Sequence, residues 1–585
     1  MEKRLTARHR HWLTACLILI LTAPVLAIGS YPLLRKDLKG ARHINERSVV
    51  PLVLRDSSPA TGPLRVLPSN PRYFTDGSGR AILLAGTHTW FTMQDMSEAD
   101  PPLAFDYNAF LDFVQARGDN FFRTFVWEQS WKSWLDYDAH VSPNIYERTG
   151  PGNALDGHPK FDLTQFNQDY FDRIRERVIQ AGNRGFYVSL MLFDDFSVHD
   201  KGYGYSPYPG HPYNPANNIN GINGDPNKTG DGGQIHTLNI SAITALQEAY
   251  VRKLIDTAND LDNILFEICN ESEANQVNID WQNHFIDYIH TYEAGKPKQH
   301  PVGFTVPWPD GNNADLFASN AEWISPNDSG MDTYKTDPPA ADGRKVIITD
   351  TDHLWGLGGD RTWAWKSFTR GLNPIYMDPY DDYASWIWNG VLEPNDPSVV
   401  SLRANLGYIL NYANRMNLAA MTPRGDLCST GYCLANPITS GAEYLVYLPN
   451  GGSVNVNLSA SPVDLSVEWF NPQNVTTVDA LSVFGGNVQT FSAPFPGDAV
   501  LYIYNIDTST PTETTTKTPT SLPSTQLPTS TIQSATQTST STPSSSTPTP
   551  PTLPLPCAQG LLITSVLFLA IVKSGYLKNN GGDGL

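Results

Sequence analysis

Phe266-Glu267-Ile268-Cys269-Asn270-Glu271-Ser272 follows an apolar run, and Val346-Ile347-Ile348-Thr349-Asp350-Thr351-Asp352-His353 repeats the pattern further along the chain. Each is a short β-run that ends in carboxylates. A parallel barrel presents acids in this way at the C-terminal mouth of its strands. Alternate strand residues share a face, so Leu265, Glu267, Cys269 and Glu271 are expected to point one way, as are Val346, Ile348, Asp350 and Asp352. Working outward, β-like runs at Ala81–Ala85, Asn120–Trp127, Gly185–Phe193, Asn263–Cys269, Pro301–Trp308, Glu322–Ser325, Lys345–Asp350 and Pro374–Asp378 give eight candidate strands. Apolar spacing near 3.6 residues predicts helices between them at Tyr107–Arg117, Gln165–Gly182, Ile243–Leu261 and Asp280–Glu293. The alternation predicts an α/β fold, a (β/α)8 TIM barrel over residues 65–398. After it, short runs such as Glu443–Tyr447, Ser453–Leu458, Leu465–Trp469 and Ala499–Tyr504, divided by Asn, Gly and Pro turns, predict a small antiparallel β-sandwich. With its preceding helix this accessory domain occupies residues 399–506.

The ends of the chain have a different composition. Lys3, Arg4, Arg8 and Arg10 precede an apolar run from Trp12 to Ile28 with Val25-Leu26-Ala27 as a cleavage site, so residues 1–28 read as a signal peptide or an uncleaved signal anchor. Residues 29–64 form a linker. Residues 507–556 are dominated by Thr, Ser and Pro, cannot bury enough apolar surface to fold, and read as an extended stalk. The hydrophobic tail at 557–585 suggests a tether to the cell surface or membrane. Secretion or surface anchoring is therefore the expected location, and a monomer the expected state. In an oxidising compartment, Cys428 and Cys433 are expected to form a local disulfide. A formal charge of −19 argues against a nucleic-acid partner, because phosphate backbones need clustered Lys and Arg. With 11% aromatic residues, the chain has rings enough for both a core and a ligand surface.

Four stretches together resemble the apiosidase-like, cellulase-related glycoside hydrolases, which join a (β/α)8 barrel to a C-terminal sandwich associated with collagen binding. They are Asn70-Pro71-Arg72-Tyr73-Phe74 with Gly86-Thr87-His88-Thr89-Trp90, then Asn120-Phe121-Phe122-Arg123, the Asn270-Glu271 segment, and Asp350-Thr351-Asp352-His353-Leu354-Trp355-Gly356. The resemblance spans Asn70 to about Tyr504. It implies hydrolysis of glycosidic bonds in an oligo- or polysaccharide, with catalytic carboxylates after strands four and seven. Carried onto this chain, Glu271 is expected to be the acid/base and Asn270 to hydrogen-bond the sugar hydroxyl beside the reacting carbon. For the nucleophile, Asp350 is the first choice and Asp352 the second. The larger clan normally carries Glu at the end of strand seven, so an Asp there departs from its pattern. Strands three and six depart as well, ending in Phe193-Asp194-Asp195 and Ser325-Pro326-Asn327. Retention is the outcome the resemblance implies, and carboxylates about 5 Å apart would agree with it. Glu267, deeper on its strand, is expected to pair with Arg123.

Substrate contacts are expected from Asn270, Arg123, His88, His353 and Asp378 at strand ends, and from Trp90, Trp127, Trp308 and Trp355, whose flat rings suit sugar faces. Further tryptophans at 131, 134, 363, 365, 386 and 388 fall in the same loop-rich stretches. The Gly-, Asn- and Pro-rich insertion from Asp200 to Gln234 is a candidate lid or subsite wall. No metal motif, phosphate loop or dinucleotide fingerprint occurs in a suitable context, so no cofactor and no metal are expected. The competing reading is a noncatalytic glycan- or collagen-binding surface adhesin on a barrel scaffold. Acids at both strand ends favour the enzyme, and packing against the barrel is the role expected of the sandwich.

Overall fold

In the computed structural model, residues 58–131, 139–201, 206–330, 332–380 and 395–505 are described, together with the backbone of 46–47. The signal segment, the stalk, the hydrophobic tail, Trp134, Trp386 and Trp388 lie outside the described residues.

Eight parallel strands close into a barrel: β1 (Gly86–His88), β2 (Phe121–Phe125), β3 (Tyr187–Asp194), β4 (Ile264–Asn270), β5 (Val302–Thr305), β6 (Trp323–Ser325), β7 (Val346–Asp350) and β8 (Asn373–Met377). The barrel closes through β1, which pairs with both β8 and β2. The helices between strands are α1 (Tyr107–Ala116), α2 (Gln168–Asn183), α3 (Ser241–Ala258), α4 (Gln276–Glu293), α5 (Asn313–Ala318) and α6 (Arg361–Thr369). A side-chain oxygen caps most of them at the N-terminus, as Asp106 does for α1, Asn167 for α2, Asn275 for α4 and Asp360 for α6. Asn167 also explains why α2 starts later than its apolar spacing suggests. The residues before it form a hairpin, Tyr146–Asn153 with Pro159–Phe166.

The first strand differs from its expected position. Ala81–Ala85 is not a barrel strand, because the Leu84 and Ala85 amides are taken by the Asn373 and Asn120 side chains rather than by a neighbouring strand. Pairing begins at Gly86, where φ is +155° and an added Cβ would fall 2.1 Å from the Phe121 carbonyl oxygen. Only glycine permits so close an approach.

Strand periodicity stacks the barrel interior in layers. Phe121, Tyr187, Leu265, Trp323, Val346, Ile348 and Ile375 form an apolar floor. Trp323 fits because β5 offers Gly303 beside it, where a Cβ would lie 2.1 Å from the indole. Two residues further along the strands, Arg123, Ser189, Glu267 and Asp350 form a fully buried polar layer above that floor.

The C-terminal region carries antiparallel sheets. After α7 (Pro397–Arg415) come β9 (Cys433–Asn436), β10 (Glu443–Leu448), β11 (Ser453–Asn457), β12 (Asp464–Asn471), β13 (Thr476–Phe484), β14 (Val488–Ser492) and β15 (Ala499–Asn505). The larger sheet contains β13, β12, β15, β10 and β9 in that order, and β11 pairs with β14. Tyr444, Val446, Leu501 and Ile503 on one face of the larger sheet pack with Val454, Val456 and Phe491 of the smaller pair. Its other face, with Leu445, Tyr447, Phe470 and Val500, joins the barrel's core around Trp365 and Tyr412. Arg361 on α6 binds Asp498 through two nitrogens, and Arg415 on α7 binds Glu468 likewise. Barrel and sandwich therefore share a packed, ion-paired seam.

Cys428 and Cys433 are separate thiols, not the expected disulfide. Cys433 is sealed in β9, whereas Cys428 lies in a turn with its sulfur 3.3 Å from the Thr430 hydroxyl. A hydrogen bond to Cys433 draws the Cys428 thiol down to about 6. Among the described residues, no helix is long and apolar enough to cross a membrane.

Candidate active site

A cleft of about 850 Å³ opens at the C-terminal ends of the strands. Asn270, Glu271, Asp352 and His353 line it, with Trp90, Trp127, Trp308 and Trp355 among its walls. The layers beneath explain how these residues arrive there.

β4 ends at Asn270, and Glu271 then adopts φ +42°, a left-handed conformation that non-glycine residues rarely occupy. This turn breaks the strand's alternation, so Asn270 and Glu271 both reach the cleft while Cys269 packs against His236. The turn is tied down on both sides. Lys201 Nζ donates to the Glu271 carbonyl at 2.9 Å, and the Trp308 amide donates to the Ser272 carbonyl at 2.9 Å. β7 breaks alternation differently. It ends at Asp350, whose carboxylate accepts the Asp352 amide at 3.0 Å and starts the single helical turn Thr351–His353. That turn brings Asp352 and His353 to the cleft together. A Glu271 oxygen, an Asp352 oxygen and a His353 nitrogen lie within 4.8 Å of one another.

Asp350 stands lower and is sealed. It has no exposed surface, binds Arg123 at 2.6 Å and lies 2.8 Å from His88 Nδ1. Arg123 also holds Glu267 through Nε at 3.0 Å and through a second nitrogen, and it contacts Thr305. Asp350, the expected first choice of nucleophile, thus has no exposed surface and is not among the residues that line the cleft. Arg123 and His88 are corrected on the same ground. Both are buried in the polar layer against Asp350, and neither lines the cleft. Asp378 is corrected too: Arg403 of α7 grips it through two nitrogens and its carboxylate caps the Tyr380 amide, which leaves it no part of the cleft wall.

Environment separates the two cleft carboxyls from the sealed one. Burial pushes the Glu271 carboxyl far up, the nearby Asp352 charge adds to this, and Lys201 opposes it. Burial likewise raises Asp352 to about 6, with His88 opposing and Asp350 adding. For Asp350 burial also acts upward, but His88 and Arg123 outweigh it and hold the group well below the usual carboxylate range. His353 is pushed down to about 3 by burial and by the Arg123 charge, so it is a neutral imidazole at ordinary pH. Five buried polar atoms on lining residues have no hydrogen-bond partner: Glu271 Oε2, Asn270 Oδ1, Trp127 Nε1, Asn327 Oδ1 and His353 Nε2. Unpaired polar atoms are costly unless a ligand or solvent takes them.

Of the remaining tryptophans, Trp363 and Trp365 are buried core residues, with indole N–H groups bonded to the Tyr334 carbonyl and the Asn405 side chain. Tyr208, His211 and Tyr213 of the insertion are buried, and no described part of it lines the cleft. It packs beside the barrel instead of forming the expected lid.

Behind Glu271 lies a network that sequence reasoning missed. Lys201 pairs with Asp195 and with Glu273 at 3.1 Å. Asp195 accepts from His199 at 2.8 Å and contacts His236 at 3.0 Å, and His236 reaches Glu128 at 2.9 Å. Asn270 Nδ2 donates to Asp194 at 3.0 Å. The Asp194-Asp195 pair was visible as an irregular strand end, but its partners come from loops with no periodic signal. Lys335 and Asp328, also on the cleft wall, carried no signal at all.

One family model matches, a domain of unknown function named DUF6298, over residues 136–309. No curated protein sequence matches the chain. Among solved structures, a family 5 glycoside hydrolase from Bacteroides vulgatus is similar at 14% identity and a TM-score of 0.51, over 77% of this chain and 94% of the other. A second, described as a glycoside hydrolase, matches at 13% identity and a TM-score of 0.46, over 76% and 97%. A family 5 mannosidase from Rhizomucor miehei matches at 12% identity and a TM-score of 0.37, over 60% and 98%. At 14% identity the likeness to the first is one of fold, a (β/α)8 barrel.

Proposed function

We propose that this protein is a retaining glycoside hydrolase in which Glu271 is the acid/base and Asp352 the nucleophile. The observation that carries the reading is the approach of a Glu271 and an Asp352 oxygen to within 4.8 Å on the wall of one cleft. Retaining enzymes hold their carboxyls about 5–5.5 Å apart, whereas inverting ones need roughly 6.5–9.5 Å to admit a water.

The electrostatics suit the division of labour. Glu271, with its proton held by burial and by the neighbouring carboxylate, donates it to the departing glycosidic oxygen as Asp352 attacks the anomeric carbon. An ester between Asp352 and the sugar results. Glu271, now ionised, then takes a proton from water as the water attacks that ester, which returns Asp352 to a carboxylate and releases a sugar of unchanged anomeric configuration. Asn270, held by Asp194, presents its free Oδ1 to a sugar hydroxyl. Trp308, 42% exposed, and Trp355, with Lys335 Nζ 5.2 Å from its ring, offer platforms for neighbouring sugar units, so an oligo- or polysaccharide is the substrate. The cationic, then apolar N-terminus and the stalk with its hydrophobic tail support secretion or tethering at the cell surface. The resemblance to the apiosidase-like, cellulase-related group points to plant or microbial glycans.

The test is to incubate the purified protein and its Glu271→Gln variant with a panel of such glycans and to follow the first-formed anomer by proton NMR. Release of the substrate's own anomer by the wild type alone is expected. An inverted first product, or equal turnover by the variant, contradicts the assignment, and binding without any turnover supports an adhesin.

A further inference from the structure

Resting on that reading, we propose that Lys201 is a positioning residue for the acid/base, holding Glu271 in its left-handed turn through the backbone and placing a fixed positive charge beside its carboxyl. Lys201 Nζ makes three contacts at once: the Glu271 carbonyl at 2.9 Å, Glu273 at 3.1 Å and Asp195. Its side chain is 4% exposed, so the ammonium is enclosed and its place is set by these acceptors.

A lysine is needed for geometric reasons. Glu271 at φ +42° is strained, and such a residue persists only where its surroundings over-determine it. A charged donor on its carbonyl does this without blocking the carboxyl, which faces the cleft with Oε2 unpaired. The donor is itself anchored. Asp195 sits at the start of the helical turn after β3, fixed by His199 and His236, and His236 is in turn fixed by Glu128. The chain of ion pairs thus runs from the end of β2 through the end of β3 to the turn after β4, three neighbouring strand ends locked to one another.

The same ammonium bears on the acid's proton. The charged and titratable groups around the Glu271 carboxyl are Asp352 and His353 from the turn after β7, Asp194 and Asp195 from the end of β3, Glu273 from its own loop, and Lys201. Lys201 is the cation among them, and of the leading influences on the Glu271 carboxyl it is the one that acts downward; His199 and His236, which also lean toward the charged form, are taken up by Asp195. Neutralising it leaves Asp195 and Glu273 uncompensated beside the acid, and both effects move the acid the same way.

The experiment is the pH profile of kcat/KM for wild type, Lys201→Met and Lys201→Gln on whichever glycan the wild type cleaves, with thermal unfolding measured alongside. For Lys201→Met, kcat is expected to fall about 10–100-fold, the scale of a misplaced catalytic group, with KM changed less than kcat and the basic limb moved to higher pH. Lys201→Gln can still donate to the carbonyl but lacks the charge. It is expected to retain more of kcat than Met while showing the same upward limb, and it carries the test if the Met variant does not fold. A basic limb unmoved in a folded variant, with activity lost only in proportion to unfolding, overturns the proposal. Turnover by Glu271→Gln would instead overturn the acid/base assignment on which it rests.

Discussion

Replacing Arg123 by Met should destabilise the protein more than almost any other single change. Its guanidinium, the Glu267 carboxylate and the Asp350 carboxylate are all without exposed surface, and the first binds both of the others. Deleting it strands two buried carboxylates with Ser189, Thr305, His88 and the Asp352 amide as their remaining partners. Removing one partner of a buried ion pair costs about 3–5 kcal/mol, against a total stability of roughly 5–15 kcal/mol for a typical protein. At about 2–4 °C per kcal/mol for larger domains, the melting point should drop by roughly 6–20 °C. The loss has a pH signature. Asp350 is depressed in the folded state, so its contribution is complete above its unfolded value of about 3.9 and is lost as pH falls toward the folded one. Without Arg123 much of that contribution is gone at every pH, so the gap between wild type and variant should narrow below about pH 4. Calorimetry and urea unfolding at pH 7 and pH 3.5 measure both quantities. Adding Glu267→Gln to Arg123→Met should recover part of the loss, because one stranded charge disappears. A gap under about 1 kcal/mol at pH 7, or one that acid leaves unchanged, would refute the view that this layer is held by its charges.

Glu271→Gln should lower hydrolysis by about 100–10,000-fold, the usual worth of a general acid, while near-ultraviolet circular dichroism stays as in the wild type. The kcat/KM profile should be a bell, with an acid limb near pH 6 where Asp352 must ionise and a basic limb set by the raised Glu271; an acid limb near pH 4 would contradict the burial of Asp352. Gly303→Ala should destabilise by about 1–3 kcal/mol, measured by urea unfolding, since the new methyl meets the Trp323 indole and the barrel floor is closely packed. Iodoacetamide at neutral pH should label Cys428, half-buried and shifted down to about 6, well before the sealed Cys433, as peptide mass spectrometry would show.

Much of the barrel was legible because its strands carry a period that packing enforces. Leu265 and Glu267, like Ile348 and Asp350, share a face in the folded protein as alternation requires. Legibility ended where the strands end. Glu271 leaves the pattern through a positive φ and Asp352 through a helical turn capped by Asp350, and neither device has a period. Alternation set Asp350 and Asp352 on one face without ranking them, and the preference for Asp350 came from the resemblance, which sets a carboxylate at the end of strand seven; the two differ chiefly in depth. His88, Arg123 and Asp378 were misread for a related reason: a charged residue at a strand end can serve a ligand or a buried partner, and only tertiary contacts separate the two. Lys201 and the His236 network come from loops joined across long sequence separations, where no local pattern links the partners.

The central claim is that Asp352, not Asp350, bonds to the sugar in concert with Glu271. An activated 2-deoxy-2-fluoro analogue of the released sugar should trap the glycosyl-enzyme, and digestion followed by tandem mass spectrometry locates the added mass. The account predicts the label on Asp352, its absence from the Asp352→Gly variant, and its persistence in a folded Asp350→Asn variant. Label on Asp350, or on no residue of the segment 346–353 while hydrolysis proceeds, would contradict it.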